Sequence, residues 1–393
     1  MAAPEGRWHA PALLRVLAAQ LLTALADNAL LIVAIALLEA RAAPAWITPG
    51  LRLGFYASYV VLAPCAGRWA DSVPKGRLMA AVNAIKLTGA IALAGGAHPL
   101  LVFAAIGCAA AAYAPARYGM LPELCSGRQL VQANAAMEIV TIVAIIGGYA
   151  LGSALVGGSS AAACALLALL YGAAAACTLG PGPAPADARV ATPLRFADGA
   201  RALLGDAVAR QALAVTSIFW AAAAVLQFAM IDWARRTLGL ALAQAALLPA
   251  VFALAMVGGA VLAGAWTMGS GRWRALLCGA ALGLAIILMP QAATLLAAGV
   301  LLAVAGLLAG LLLVPMNASL QARGADLTSP GLSVAVQNFF ENGCSLAFLA
   351  AYGIALACGA SIDTVLRALG ASVVLLVSLS ACSAAARARS PTP

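Results

Sequence analysis

Gly67-Arg-Trp69-Ala-Asp71-Ser-Val-Pro74-Lys75-Gly76-Arg77 is a short charged segment set between two long apolar runs. It recurs without gaps 197 positions later as Gly264-Ala-Trp266-Thr-Met268-Gly-Ser-Gly-Arg272-Trp-Arg274, keeping the glycine, the tryptophan and both basic positions. Met268 stands where the first copy has Asp71. A second correspondence sets Ala114-Pro115 beside Val314-Pro315 and brings Asn134 and Glu138 roughly into line with Gln337, Asn338 and Glu341. Duplication by half-chains is what two-bundle alternating access requires, and a membrane enzyme or simple channel gives no reason for it.

The rest of the chain supports that reading. Of 393 residues, 64% are hydrophobic and 9% charged, with a mean hydropathy of +1.01. Runs of about 20 apolar residues match a hydrocarbon core roughly 30 Å thick. Twelve are present, at 12–39, 53–70, 78–97, 99–116, 133–156, 159–179, 211–232, 243–268, 275–290, 292–316, 332–357 and 364–386. They are too long and continuous for barrel strands. The expected fold class is an all-α polytopic membrane protein of twelve transmembrane helices, in two six-helix halves around a central cavity. The boundaries are 1–180 for the first bundle, 181–210 for a cytoplasmic linker and 211–393 for the second. The linker opens with Gly180-Pro-Gly-Pro-Ala-Pro, a breaker, and Thr192 to Ala209 suits either a helix on the inner leaflet or a solvated tether.

With both termini inside, fifteen of the 22 basic residues fall in inner segments and five in outer ones, leaving Arg15 and Lys86. That bias sets the orientation, and the net charge of +9 reports topology rather than nucleic-acid binding. The first apolar run is too long for a signal-peptide core and reads as a retained helix. Nine cysteines are scattered without C-x-x-C, and the two histidines, His9 and His98, have no ligand set near them. No G-x-x-x-x-G-K-[ST] phosphate loop is present. The expectation is therefore no enzyme, no metal and no cofactor.

Polar residues inside the spans are few. Gln20, Thr23 and Asp27 form one stripe on the first helix, with Asn28 beside it. A carboxylate at mid-bilayer costs about 2.5–3.5 kcal/mol on insertion scales, so it marks a functional site by default. Asn83 and Lys86 share a face of the third helix, and Asn134, Glu138 and Thr141 one of the fifth. Gln227 lies in the seventh helix, and Gln337, Asn338, Glu341, Asn342 and Ser345 in the eleventh. These stripes can converge on one cavity, or each can serve helix packing. Asp27, Glu138 and Glu341 are all open as counter-ions for Lys86.

The loop from Gly67 through Asp71 to Lys75, Gly76 and Arg77 resembles the signature loop of the major facilitator superfamily, departing from it at Pro74, where glycine is usual. A gating role for Gly67, Asp71, Lys75 and Arg77 follows from that resemblance. Ala26-Asp27-Asn28-Ala29-Leu30-Leu31, Tyr113-Ala-Pro-Ala-Arg117-Tyr-Gly, Val314-Pro-Met-Asn317 through Gln321, and Ala335-Val-Gln-Asn338 through Glu341-Asn342 are similar to the bacterial lysophospholipid transporter family. The resemblance runs through nearly the whole chain. It implies movement of lysophospholipids such as lysophosphatidylethanolamine from the outer to the inner leaflet of the bacterial inner membrane. Reacylation there falls to a partner acyltransferase/acyl-carrier-protein synthetase.

A zwitterionic headgroup needs a carboxylate for its amine and cations or polar donors for its phosphate, and its single acyl chain needs an apolar wall. Asp27, Asn28, Lys86, Arg117, Glu138, Gln227, Gln337, Asn338 and Glu341 are the candidate substrate-binding residues. The family's basic residue in the seventh helix is replaced by Gln227, which leaves the headgroup range open. A monomer bathed in membrane lipids, without nucleic acid, is expected. Two other readings fit the same residues: a proton-coupled exporter of amphiphilic drugs or siderophores, and a non-transporting lipid sensor or scaffold.

Overall fold

A computed structural model describes residues 10–42, 47–156, 158–179, 195–240, 245, 248–265 and 268–388. Most of the linker, with its Pro-Gly opening and Arg189, lies outside these residues. So does Trp266 of the repeated turn.

Among the described residues there are thirteen α-helices. They are α1 Ala10–Ala40, α2 Ile47–Ser72, α3 Lys75–Ala94, α4 Pro99–Leu124, α5 Gly127–Leu155, α6 Ser160–Thr178, α7 Phe196–Gly205, α8 Ala207–Thr237, α9 Leu248–Gly264, α10 Met268–Leu288, α11 Leu295–Leu327, α12 Pro330–Ala357 and α13 Ile362–Ala388. Ten of them are long and apolar enough to cross a membrane. The 17-residue apolar α9 and the 26-residue α2 occupy the places of the eighth and second expected spans.

Helix ends fall where local chemistry stops them. The His98 side chain accepts from the Leu100 amide and Pro99 opens α4, Ser159 accepts from Ala162 at the start of α6, and Asp206 accepts from Val208 and Ala209 at the start of α8. Gly96, at φ 92°, lets the chain turn out of α3 and into α4, a backbone conformation that costs other residues strain.

The chain divides into two compact units. The first holds the described residues of Met1–Ala133 with Val140–Arg201 and Gly324–Phe339, and the second holds Asn134–Ile139, Ala202–Arg323 and the described residues of Phe340–Pro393. The start of α12 thus groups with the first unit and one turn of α5 with the second.

In the first unit α2 packs on α4, α3 on α4 and α6, and α1 on α4 and α6. Its core runs through Ala26, Ala29, Leu30, Ile106, Leu167 and Tyr171. In the second unit α13 packs on α10 and α8, while α9 lies against α11 with almost no side chain between. A Cβ placed on Gly310 would fall on the Met256 carbonyl and 2.5 Å from the Ala260 nitrogen. Apolar burial gives helices little reason to associate in lipid, so close backbone approach through small residues supplies the contact. Gly310→Val is expected to lower the detergent-solubilised protein's stability by at least about 1–3 kcal/mol, the usual cost of overpacking, seen as a lower thermal transition.

Candidate functional site

Three helices of the first unit bring charge into an apolar interior, and a fourth adds a hydroxyl. Lys86 of α3 donates from Nζ to Asp27 Oδ2 of α1 at 2.6 Å, and the Tyr171 hydroxyl of α6 donates to Asp27 Oδ1 at 2.8 Å. Lys86 is 1% exposed, and its ammonium also lies 5.4 Å from the Tyr113 ring centre and 5.8 Å from that of Tyr171. Those π faces add attraction to an ammonium that is itself buried. One turn away, the Thr23 hydroxyl donates to Asn83 Oδ1 at 2.7 Å, and Gln20 Nε2 donates to Thr141 at 2.9 Å.

Arg117 sits one turn after Tyr113 on α4. Its guanidinium covers the Tyr118 ring at 4.1 Å, its buried Nε has no hydrogen-bond partner, and it forms no ion pair among the described residues. It is near enough to act electrostatically on Lys86, Tyr113 and Tyr59. One carboxylate therefore stands among two cations, an arrangement with one positive charge in excess. Asn28 is not joined to it, because its amide donates to the Ala24 carbonyl within α1.

A second cluster in the same unit involves the charged turn. Asp71 Oδ1 accepts from the Gly331 amide at 2.9 Å, Oδ2 accepts from the Leu332 amide at 3.0 Å, and the Ser329 hydroxyl also donates to Oδ2. A carboxylate from α2 thus caps the start of α12, satisfying the Gly331 and Leu332 N–H groups of a first turn whose Pro330 has none, and meeting the positive end of its dipole. The approach depends on small residues: a Cβ on Gly67 would sit 2.9 Å from Ala335 Cβ, and one on Gly331 2.5 Å from Asp71 Oδ1. Lys75 pairs with Glu123 at 2.6 Å, while Arg77 is exposed.

In the second unit, Asn134 and Gln321 exchange two amide hydrogen bonds at 2.9 Å each, and Asn317 donates to Glu138 at 3.3 Å. The stripe of α5 thus meets an i, i+4 stripe of α11 that the reading of the spans did not single out. Asn317 and Gln321 were visible only as part of a family-like string. Tyr171 was missed because one tyrosine among alanines and leucines reads as packing.

Residues 16–349 match the Major Facilitator Superfamily. Lysophospholipid transporter LplT of Serratia proteamaculans (strain 568) is 37% identical over 351 residues, 88% of this chain and 88% of its own. LplT of Yersinia pestis (strain Pestoides F) is 37% identical over 358 residues, 89% of this chain and 88% of its own. The chain belongs to the lysophospholipid transporter family of the major facilitator superfamily.

Solved transporters share the fold at much lower identity. The fucose:proton symporter FucP in its outward conformation aligns with a TM-score of 0.76 at 14% identity, over 97% of this chain and 99% of its own. The human organic anion transporter MFSD10 aligns with 0.72 at 18%, over 96% and 100%. Membership makes the chain a multi-pass membrane transporter and not an enzyme. Of the other candidate residues in this family member, Gln227 of α8 and Asn338 of α12 are half-buried, and Gln337 and Glu341 of α12 are 7% and 8% exposed.

Outside the membrane spans, Asp206 joins α7 to α8 and also accepts from Arg323 Nε and Nη2 at 3.0 and 2.8 Å. Burial by itself raises the Asp206 carboxyl. The Arg323 hydrogen bond, the Ala209 amide, the Arg323 charge and the Val208 amide outweigh it and hold the group below its ordinary range. Its contribution to stability is therefore full above the unfolded value of about 4 and fades as pH falls through the depressed folded value. Asp206→Ala is expected to cost about 1–2 kcal/mol at neutral pH, with the difference from wild type shrinking in thermal scans below about pH 4.

Proposed function

We propose that this protein moves lysophospholipids, lysophosphatidylethanolamine among them, from the outer to the inner leaflet of the bacterial inner membrane by alternating access. The observation that carries the reading is the cluster of a buried Lys86 with half-buried Asp27 and Arg117 in a chain 37% identical to proteins named lysophospholipid transporters. Its excess positive charge favours a phosphate, and the Arg117 guanidinium, committed to no carboxylate, is the natural first contact. As phosphate nears the two cations, Lys86 can shift part of its attraction away from Asp27. The carboxylate is then released to receive the ammonium, so that phosphate and amine are matched in turn. Tyr171 keeps Asp27 in place through the exchange. The acyl chain stays against apolar helix surfaces.

Asp71 on the start of α12 is the proposed inner gate, in contact in one state and released in the other, with Lys75 tying the turn to Glu123 and the exposed Arg77 anchoring it at anionic headgroups. Both termini are cytoplasmic in this reading, the transporter works as a monomer, and an acyltransferase/acyl-carrier-protein synthetase consumes the delivered lipid. A headgroup series in proteoliposomes tests the assignment. Arg117→Gln is expected to slow transfer of every phosphate-bearing lysolipid at least about tenfold, the loss of one charge-assisted hydrogen bond. Unchanged transfer at equal reconstitution removes Arg117 from the site.

A further inference from the structure

Helix α7 plays no part in the cycle described so far, yet its two faces are sharply different. On one side Leu203 is fully buried, a Cβ on Gly199 would lie 2.7 Å from Leu332 Cδ2, and Phe196 meets Phe339 edge-on with ring centres 5.5 Å apart. Leu332 and Phe339 belong to the first turns of α12, and the Leu332 amide is one of those capped by Asp71. On the other side Leu204 is exposed and the Arg201 side chain is 76% exposed, its ion pair among the described residues being with Asp198 of the same helix, and Arg195 is exposed just before the helix begins.

One residue, Asp206, separates α7 from the membrane-spanning α8. The helix is therefore tied directly to the end of a span, and its exposed Arg201 and Leu204, with Arg195 just before it, form a basic and apolar surface beside that end.

We infer that α7 is a docking surface for anionic phospholipid headgroups, and that their binding steadies the start of α12 through Phe196 and Gly199. Arg195 and Arg201 supply the charge, Leu204 the apolar contact, and the packing on Leu332 and Phe339 the route to the Asp71 cap. This places a lipid-composition sensor on the gate; it rests on the proposed transporter reading for its purpose and on the inner location of the linker for its lipid.

The test is hydrogen exchange of the Gly331, Leu332 and Ser333 amides in nanodiscs without lysolipid, comparing phosphatidylethanolamine alone with a mixture containing phosphatidylglycerol. Anionic lipid is expected to slow exchange in the intact protein by roughly fivefold for each arginine engaged. The double variant Arg195→Gln/Arg201→Gln should lose that response. Asp198→Asn, which frees Arg201 from its internal partner, should enlarge it. Equal exchange in both lipid mixtures, or the same response in the double variant, overturns the inference.

Transport in phosphatidylethanolamine vesicles is measured separately. Protection without transport sinks the lysolipid reading and leaves this one standing, and transport without any response to anionic lipid does the reverse.

Discussion

Asp27→Asn alone is expected to cost about 3–5 kcal/mol and to abolish transfer of amine-bearing lysolipids. It leaves Lys86 buried without its counter-charge, 1% exposed and close to Arg117. Stability loss and transport loss would coincide in that variant, so it cannot separate scaffold from site. Adding Lys86→Met does. The double change removes both charges, and replacing a buried pair by uncharged side chains is often close to neutral. Thermal unfolding should therefore recover to within about 1–2 kcal/mol of the intact protein, while transfer stays lost. A double variant that both folds and transports would make the pair a structural brace and nothing more.

The second large effect belongs to Asp71. Asp71→Ala leaves the Gly331 and Leu332 amides and the Ser329 hydroxyl without their acceptor. Loss of a helix cap costs about 0.5–2 kcal/mol, and loss of a carboxylate at the positive end of a partly buried helix up to about 2 more. If the contact is the inner gate, that free energy is withdrawn from one conformational state alone. A loss of about 1.4 kcal/mol shifts the balance between states tenfold. A cysteine placed at Ser329 should then label from the inner side at least about tenfold faster in the Asp71→Ala background. Asp71→Asn, which keeps an acceptor but loses the charge, should lie between. Equal labelling in all three backgrounds would reduce Asp71 to a static cap.

How far the sequence reached differs between levels of structure. The helices were legible because hydrocarbon thickness demands long apolar runs, and no other element supplies them. The charged turn was legible because its chemistry repeats. Its partner was not, since Asp71 reaches backbone amides some 260 positions away and backbone donors carry no side-chain signature.

Lys86 illustrates the same limit. Periodicity placed it on a face with Asn83, yet left Asp27, Glu138 and Glu341 as equal counter-ions, and three-dimensional packing selects Asp27. Glu138 instead meets Asn317, and Asn134 meets Gln321, on a helix whose polar stripe is hidden in a long alanine and leucine run. The half-chain repeat sets Asn134 and Glu138 roughly beside Gln337, Asn338 and Glu341, their counterparts by repetition. Duplication relates equivalent positions, and it does not say which positions touch.

The most direct measurement follows labelled lysophosphatidylethanolamine from outer to inner leaflet in proteoliposomes of the pure protein, with and without an imposed proton gradient. Lysophosphatidylethanolamine transfer by the intact protein, absent in Asp27→Asn/Lys86→Met at equal reconstitution, is the predicted result. Transfer unchanged in that variant, or none by the intact protein while a proton gradient drives other amphiphiles across, would contradict the account.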